Sequence, residues 1–208
     1  TLREELGLYD YYVDEDVKFA VRAYRALAAQ NDSEVLYYAY IGEGVGGATI
    51  HNGNVLRGLN AAAGDVGQLL DRDGRTFESK LSLRVFALAC GLEVLASDDE
   101  AALLARIAQR AQADFPCYQE ALLRAAEGVG DMLFPIAWLL DPAQIVVDCP
   151  YAIPYQELFA HRVRQRLTSL LGGSLRQLPQ VLSSPYEMRS VLYGAVQVLS
   201  REWIARIA

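Results

Sequence analysis

The chain has 208 residues, of which 52% are hydrophobic and 22% are charged, and its formal net charge is −7. This length and apolar content are sufficient for one substantial core. The acidic balance argues against unaided binding to nucleic acid or to an anionic membrane surface, and no run of about 20 uncharged apolar residues suggests a membrane span.

The first part of the sequence predicts a helix followed by a small antiparallel sheet. In the segment VDEDVKFAVRAYRALAAQ, apolar residues recur at helical spacing after Asp14, which is available as an N-cap. The next residues are rich in β-formers, and the Asn52-Gly53 pair indicates a hairpin because both residues tolerate positive φ. We expect three antiparallel strands, joined as a meander, at 34–41, 45–51 and 54–57.

Helical periodicity dominates the rest of the chain, after a glycine-punctuated loop at 58–76 that is long enough to be functional. Helices are predicted near 78–96, 98–113, 116–140, 154–171 and 185–206. Single strands are predicted at 143–149, between two prolines, and at 176–182. A meander followed by alternating helices and strands predicts an α/β layer fold, with a mixed sheet covered by helices.

The sequence contains few residues that favour transition metals. Cys90, Cys117 and Cys149 form no CxxC pair, and we interpret them as reduced, buried residues of a cytosolic protein. His51 and His161 are the only histidines, so a histidine-rich metal site is excluded. The chain begins without a signal-peptide pattern and without methionine, which suggests a cytoplasmic protein of which this is a fragment or a processed form.

The segment YIGEGVGGATIHNG, residues 40–53, places five glycines and the carboxylate of Glu43 in fourteen residues. Glycine-rich turns after a strand often hold phosphate. A carboxylate about 4 Å from a phosphate charge costs about 4 kcal/mol at an effective dielectric of 20. Alternatively, the glycines serve the hairpin, through tight turns and close approach to a neighbouring helix. We favour a loop that has kept its shape and lost its phosphate role, comprising Gly42, Glu43, Gly44 and Gly46.

The order of these motifs resembles the C-terminal half of the ROK family, which groups sugar kinases with sugar-responsive transcriptional repressors. The resemblance is carried by VDEDVKFAVRA, YIGEGVGGATIHNGNVLRGLNAAAGDVGQL, FESK, LLDPAQIVVDC and VLYGAVQV. It implies an actin-like fold with two RNase H-like lobes, of which residues 1–208 form the second as a single unit. The first lobe and any winged helix-turn-helix would be absent from this sequence.

The resemblance places Asp16 where a kinase of the family has its general base, which takes a proton from the attacking sugar hydroxyl. An equally plain interpretation is that Asp16 belongs to an acidic helix start and favours the helix dipole. The preceding residue is Glu15, where the family has a sugar-binding asparagine, and an ionised glutamate can only accept hydrogen bonds. The role of Asp16 stays open between these two interpretations.

Further substitutions affect the sugar, zinc and adenine positions that the resemblance implies. Asp65 replaces a glutamate that contacts sugar, and Gln68 replaces a histidine that binds zinc and sugar. No cysteine lies between Gln68 and Glu78, so the family's zinc loop is absent. Glu78 either holds the sugar or is a carboxylate in the first turn of a helix. Asp148 and Cys149 replace two glycines beside adenine, where larger side chains obstruct a purine; we expect Cys149 to be a buried small apolar residue.

We therefore expect an effector-sensing or oligomerisation domain of a ROK-type transcriptional regulator, without kinase activity, cofactor or metal. A sugar or sugar-phosphate effector would be contacted by Glu15, Asp16, Gly64, Asp65, Gly67, Gln68 and Glu78. The expected partners are further copies in a homodimer or higher oligomer, DNA only through a domain absent here, and no membrane. Two alternatives stay open: a kinase that transfers phosphate from ATP to a hexose with Asp16 as base, and a ligand-free dimerisation lobe built on the apolar helix at 116–140.

Overall fold

The computed structural model describes residues 14–28, 34–184 and 189–207. The first half contains helix α1 (Asp16–Leu27) and strands β1 (Leu36–Ile41), β2 (Val45–His51) and β3 (Asn54–Val55). Helices α2 (Glu78–Leu81), α3 (Leu83–Ala89), α4 (Glu100–Ala113) and α5 (Phe115–Leu140) follow. Then come β4 (Gln144–Asp148), a 3₁₀ turn (Pro150–Ala152), α6 (Gln156–Leu171), β5 (Gln180–Ser183) and α7 (Arg189–Ile207).

The strands form one mixed sheet in the order β3-β2-β1-β4-β5. Strand β1 pairs antiparallel with β2 and parallel with β4, and β4 pairs parallel with β5. The carboxyl ends of β1, β4 and β5 therefore lie at one edge of the sheet, beside the loop that joins β1 to β2. The predicted meander and the predicted mixed sheet are both confirmed.

The hairpin between β2 and β3 turns at Asn52 and Gly53, as predicted. Both residues have positive φ, 49° and 77° respectively. Asparagine and glycine accept this conformation with little strain, so the turn is determined locally.

Helices cover both faces of the sheet. On one face, side chains such as Tyr37 and Ile145 join a large core with helices α2 to α6. On the other face, Tyr38, Ala48 and Val146 pack with α1, and α7 lies along α1. Because consecutive strand residues point to opposite faces, Tyr37 and Tyr38 reach different layers.

Three expectations differ from the structure, and one of them is the strand predicted at 176–182, which begins only at Gln180. The helix predicted at 78–96 is interrupted at Ser82, whose ψ of 156° is extended, and it ends at Ala89. The N-cap of α1 is Glu15, without a side-chain capping bond, whereas the carboxylate of Asp14 accepts hydrogen bonds from Arg57. Residues 29–30 and 185–188, included in predicted helices, lie outside the described residues.

The three cysteines are free; Cys90 and Cys149 are buried as expected, while Cys117 is only partly buried. In the described part of the chain, no helix has the length and apolar character needed to cross a membrane.

Candidate functional site

The loop between β1 and β2 is held by backbone hydrogen bonds. The Gly42 N–H donates to the Gly44 carbonyl at 2.9 Å, and the Leu83 N–H donates to the Gly42 carbonyl at 2.6 Å. Neither Gly42 nor Gly44 has positive φ. A Cβ at Gly42 would overlap the hydroxyl end of the Tyr40 side chain. Gly42 leaves room for the Tyr40 side chain and is not held in a positive-φ turn, and its neighbour is this tyrosine and not a helix.

Glu78 connects this loop to the long loop that follows β3. Its Oε2 accepts a hydrogen bond from the Val45 N–H at 3.1 Å, and its own N–H donates to the Gly67 carbonyl at 3.0 Å. The Gln68 Nε2 lies 3.4 Å from Glu78 Oε1. A Cβ at Gly67 would overlap the carbonyl oxygen of Val45. Glu78 is thus the first residue of α2, and its carboxylate binds the backbone of β2.

Gly64 and Asp65, in the long loop, lie against Gly46 and Gly47 of β2. The Gly64 carbonyl accepts a hydrogen bond from the Tyr37 hydroxyl at 2.7 Å. The exposed Asp65 carboxylate accepts from the Gly67 N–H at 3.2 Å. A Cβ at Gly46 would lie 4.0 Å from Asp65 Oδ1 and 3.9 Å from a methyl group of Val17. The predicted residues of the long loop therefore meet the start of α1 at Gly46.

The start of α1 presents two exposed carboxylates, those of Glu15 and Asp16. Asp16 Oδ1 accepts a hydrogen bond from the Val17 N–H at 2.7 Å, as a carboxylate in the first turn of a helix can. Glu15 Oε2 accepts from Lys18 Nζ at 2.7 Å, and the Lys18 side chain is fully buried. Lys18 Nζ also donates to the Ala61 carbonyl. Lys18 therefore ties the residues before and in α1 to the long loop.

A cleft of about 830 Å³ opens beside the β1–β2 loop, at the carboxyl ends of β1, β4 and β5. The carboxylates of Asp16, Glu43, Glu100 and Asp148 line it. The Tyr40 hydroxyl donates to Glu100 Oε1 at 2.8 Å, and the Tyr38 hydroxyl donates to Asp148 Oδ2 at 2.6 Å. Burial raises the pKa of Asp148 to about 6, with the Tyr38 hydrogen bond acting downward and the Glu100 charge upward. This cleft is strongly acidic.

The loop at 69–77 is closed by an aspartate and a lysine. Asp71 Oδ1 accepts hydrogen bonds from the N–H groups of Asp73 at 2.8 Å and Arg75 at 3.0 Å. Lys80 pairs with Asp71 and, at 3.1 Å, with Asp73. No group of three or more His, Cys, Asp or Glu side chains is placed to hold a metal ion within the residues that the structure describes. Gln68 and this ion pair do not fit the zinc implied by the resemblance.

Sequence reasoning missed Lys18, Tyr38, Tyr40 and Glu100. One local pattern could have indicated that Lys18 is buried. It lies next to Val17 and three residues before Val21, both of which belong to the apolar face of α1. The contact of Tyr40 with Glu100 joins residues 60 positions apart, and no sequence pattern links them.

Comparison with known proteins places the chain among proteins of one family. The model of the ROK family matches residues 1–202. A Streptomyces griseus ROK glucokinase, solved with glucose and AMPPNP, shares 21% identity and a TM-score of 0.76 over 95% of this chain and 70% of that one. A Streptococcus pneumoniae ROK family protein, solved with sucrose, shares 23% identity and a TM-score of 0.68 over 90% of this chain and 65% of that one.

A ROK family transcriptional regulator, a homologue of the E. coli MLC protein, shares 17% identity and a TM-score of 0.70 over 93% of this chain and 52% of that one. No curated protein matches this chain. At these identities the likeness to solved structures shows the fold, so the predicted α/β fold with a mixed sheet and covering helices is confirmed.

Proposed function

This chain belongs to the ROK family, and we propose that it is the effector-sensing and oligomerisation lobe of a carbohydrate-related transcriptional regulator without kinase activity. The observation that supports this is the charge of the cleft beside Gly42. Asp16, Glu43, Glu100 and Asp148 line it, and no Lys, Arg or His is among its described lining residues. A nucleotide triphosphate would enter an acidic cleft without a compensating cation.

Electrostatic repulsion between the carboxylates of the cleft and the phosphates of ATP opposes nucleotide binding. A single pair of like charges about 4 Å apart costs about 4 kcal/mol at an effective dielectric of 20. Glu43 is exposed and therefore screened by solvent. Asp148 is better shielded from water and is held by the Tyr38 hydrogen bond, so its carboxylate cannot swing away without losing a partner. These carboxylates together disfavour a polyphosphate in the cleft.

The chemistry of the other candidate residues favours a polyhydroxy ligand. Glu15, Asp65 and Glu78 are acceptors only, and sugar hydroxyls donate hydrogen bonds to them. Gln68 supplies an amide that both donates and accepts. We propose that a sugar or sugar-phosphate effector contacts these residues, together with Asp16 and the backbone at Gly64 and Gly67. Glucose and sucrose are present in two of the related structures.

In this proposal residues 1–208 are one lobe, and the first lobe and a winged helix-turn-helix lie elsewhere in a longer, cytoplasmic protein. A ligand held between the two lobes would bias their relative angle, and a regulator would transmit that change to its DNA-binding domain. Contact with DNA would therefore not involve this lobe directly, which agrees with its net charge of −7.

A sugar kinase is the second candidate. The supporting observation is that Asp16 is exposed and lines the same cleft as Glu43 of the β1–β2 loop. In that function Asp16 would take the proton from a hexose hydroxyl that attacks ATP. A third candidate is a ligand-free dimerisation lobe. Trp138 and Leu139, near the end of α5, are 48% and 78% exposed and could form part of its interface.

A sugar panel and an ATP assay on the full-length protein distinguish these functions. We expect at least one hexose or hexose phosphate to raise the melting temperature through mass action, and no ATP turnover with any of them. Asp65→Asn and Glu78→Gln should abolish the shift. Glu34→Gln, which removes a charge at the opposite end of β1, should leave it unchanged.

The other outcomes identify the alternatives. ATP turnover that Asp16→Asn abolishes would establish the kinase. The absence of any sugar-dependent shift, together with a dimer that Leu139→Asp dissociates, would establish the dimerisation lobe.

A further inference from the structure

The acidic cleft beside Tyr40 also contains a large apolar chamber. Its volume of about 830 Å³ falls within the range of small-molecule sites. Apolar walls come from α1, α4, β4, the segment after the 3₁₀ turn and α6, and include Val17, Leu104, Ile107, Val147, Ile153 and Phe159. An organic molecule with an apolar body would bury its surface there.

Carboxylates from three elements converge at one end of this chamber, around the Tyr40 hydroxyl. Tyr40 donates to Glu100 Oε1 at 2.8 Å. Burial is the main reason that the pKa of Tyr40 is raised, and the hydrogen bond and charge of Glu100, then the charges of Asp148 and Asp16, raise it further. Asp148 is in turn held by Tyr38 at 2.6 Å. The negative charges are therefore concentrated around the Tyr40 hydroxyl, next to the apolar walls of the chamber.

These charges have no cationic counterpart in the cleft. The described lining residues include five carboxylates, of Asp16, Glu43, Asp99, Glu100 and Asp148, and none of them is Lys, Arg or His. Elsewhere the molecule balances buried or half-buried carboxylates with cations, as Arg57 does for Asp14 and Arg106 for Asp98. A like-charge cluster in a partly enclosed space is stabilised by a cation that enters it.

The structure favours an organic cation over a metal ion. Within the described residues no three acidic, His or Cys side chains are close enough together to hold a metal ion. The neighbouring chamber is apolar and large, whereas a metal ion would need several oxygen ligands at short distance. Charge and shape together select an ammonium group attached to an apolar body.

We propose that this cleft binds an organic amine, whose ammonium group contacts Glu100 and Asp148 and whose apolar body fills the chamber between α4 and α6. Of the proposed effector contacts, Asp65, Gln68 and Glu78 do not line the cleft, whereas Asp16 does and is the residue that the two sites share. The amine and the sugar would therefore be two ligands of one lobe.

The binding is coupled to protonation. The groups that face or adjoin Asp148 are Tyr38 and Tyr40 from β1, Glu100 from α4, Ser184 after β5, and Cys149. The two tyrosines stay neutral near pH 6, and burial raises the pKa of Cys149 well above its usual range. Asp148, with a pKa raised to about 6, loses its proton more readily beside a bound cation. Affinity should therefore rise between pH 5 and pH 7.5, with release of a proton on binding near pH 6.

The test uses dansylcadaverine, which joins an alkylammonium group to an apolar fluorophore, in a fluorescence titration at pH 7.5 and 50 mM salt. Its N-acetyl derivative serves as the neutral control. We expect the amine to bind at least about tenfold more tightly than the neutral compound. Glu100→Gln and Asp148→Asn should each weaken it by about tenfold or more, while Glu34→Gln should leave it unchanged. Added salt should weaken it.

Several results would overturn the proposal. Equal affinity of the amine and its acetylated form would show that the cleft binds only the apolar body and does not recognise the ammonium group. Equal weakening by Glu34→Gln would indicate general attraction to an acidic protein. Absence of saturable binding at millimolar amine would exclude the site. If the cleft variants fail to fold, calorimetry of amine binding to the wild-type chain still tests the proposal. Titrations in two buffers of different ionisation enthalpy measure the protons released on binding. Binding without proton release near pH 6 would contradict the proposal.

Discussion

Lys18 and Glu15 form an ion pair at 2.7 Å in which the lysine side chain is fully buried and the carboxylate is 49% exposed. The same ammonium donates to the Ala61 carbonyl and lies 3.9 Å from the buried Asp14. Ala61 adopts a φ of 58°, which an alanine rarely does without support. Lys18 therefore fixes the long loop against the start of α1, and with it the distance between Glu15 and Asp65.

Lys18→Met should destabilise the protein by about 3 kcal/mol, because it removes a buried cation together with its bonds to the Glu15 carboxylate and the Ala61 carbonyl. Methionine fills a similar volume, so the loss reports charge and hydrogen bonding more than packing. The free energy of unfolding from urea titration measures it. Hydrogen exchange should also accelerate at residues 57–66, which the lysine holds.

The matched control is Arg124→Met, since Arg124 pairs with Glu120 on the surface of α5 with both side chains mostly exposed. An exposed pair contributes under about 1 kcal/mol. Equal losses for Lys18→Met and Arg124→Met would show that the buried ion pair has no special role.

A second prediction concerns the loop at 69–77, which Asp71 and Lys80 close without a metal-ligand set. Lys80→Met should speed hydrogen exchange at residues 70–76 and lower the global stability by about 1 to 2 kcal/mol, because Asp71 is only 9% exposed but keeps two backbone N–H donors. The melting temperature of the wild-type chain should not change when 1,10-phenanthroline is added. A chelator-dependent fall, or stoichiometric zinc in the purified protein, would contradict the assignment of the loop to an ion pair.

Much of the fold could be predicted because its signals are local. The Asn52-Gly53 turn, the apolar run before Asp148 and the helical spacing after Asp99 are each contained in a few consecutive residues. A mixed sheet could be predicted once these segments were assigned to a meander and to single strands between helices, whereas the strand order β3-β2-β1-β4-β5 comes from the structure. The interruption at Ser82 was missed because its extended backbone lies within an otherwise helical pattern, and the hydrogen bond from the Leu83 N–H to Gly42 is a tertiary contact.

The candidate site could be predicted only in part. Gly67, Gln68 and Glu78 were named from the sequence, and the structure brings them together at Val45. The acidic end of the cleft was not anticipated, because Tyr40, Glu100 and Asp148 come from three distant segments. Their proximity depends on how α4 crosses the carboxyl ends of β1 and β4, which no periodicity encodes.

A third prediction follows from Asp148, whose pKa in the folded protein is raised to about 6, mainly by burial. The folded protein binds this proton more tightly than the unfolded chain, so the ionised carboxylate lowers stability above about pH 6, and this penalty disappears as the pH falls toward 4. Asp148→Asn keeps an acceptor for the Tyr38 hydroxyl and removes the charge. It should stabilise the protein by roughly 2 kcal/mol at pH 7.

Urea titrations at pH 4.5, 6 and 7.5 measure this difference. The advantage of Asp148→Asn over the wild-type chain should shrink steadily toward the lowest pH. A difference that is independent of pH would show that the ionisation of Asp148 does not control it.

The last prediction compares two glycines near Val45, Gly67 in the long loop and Gly46 in β2. Gly67→Ala should destabilise the protein by about 2 to 4 kcal/mol, because the added methyl group overlaps the Val45 carbonyl, a backbone atom that cannot rotate away. Gly46→Ala should be neutral or stabilising by up to about 1 kcal/mol, since its methyl group would meet neighbours only at 3.9 Å and beyond and the unfolded chain loses freedom. Chemical unfolding of the two variants measures both changes. A Gly67→Ala variant as stable as Gly46→Ala would show that the long loop does not pack directly on β2, and the contact between Glu78 and Val45 would lose its support.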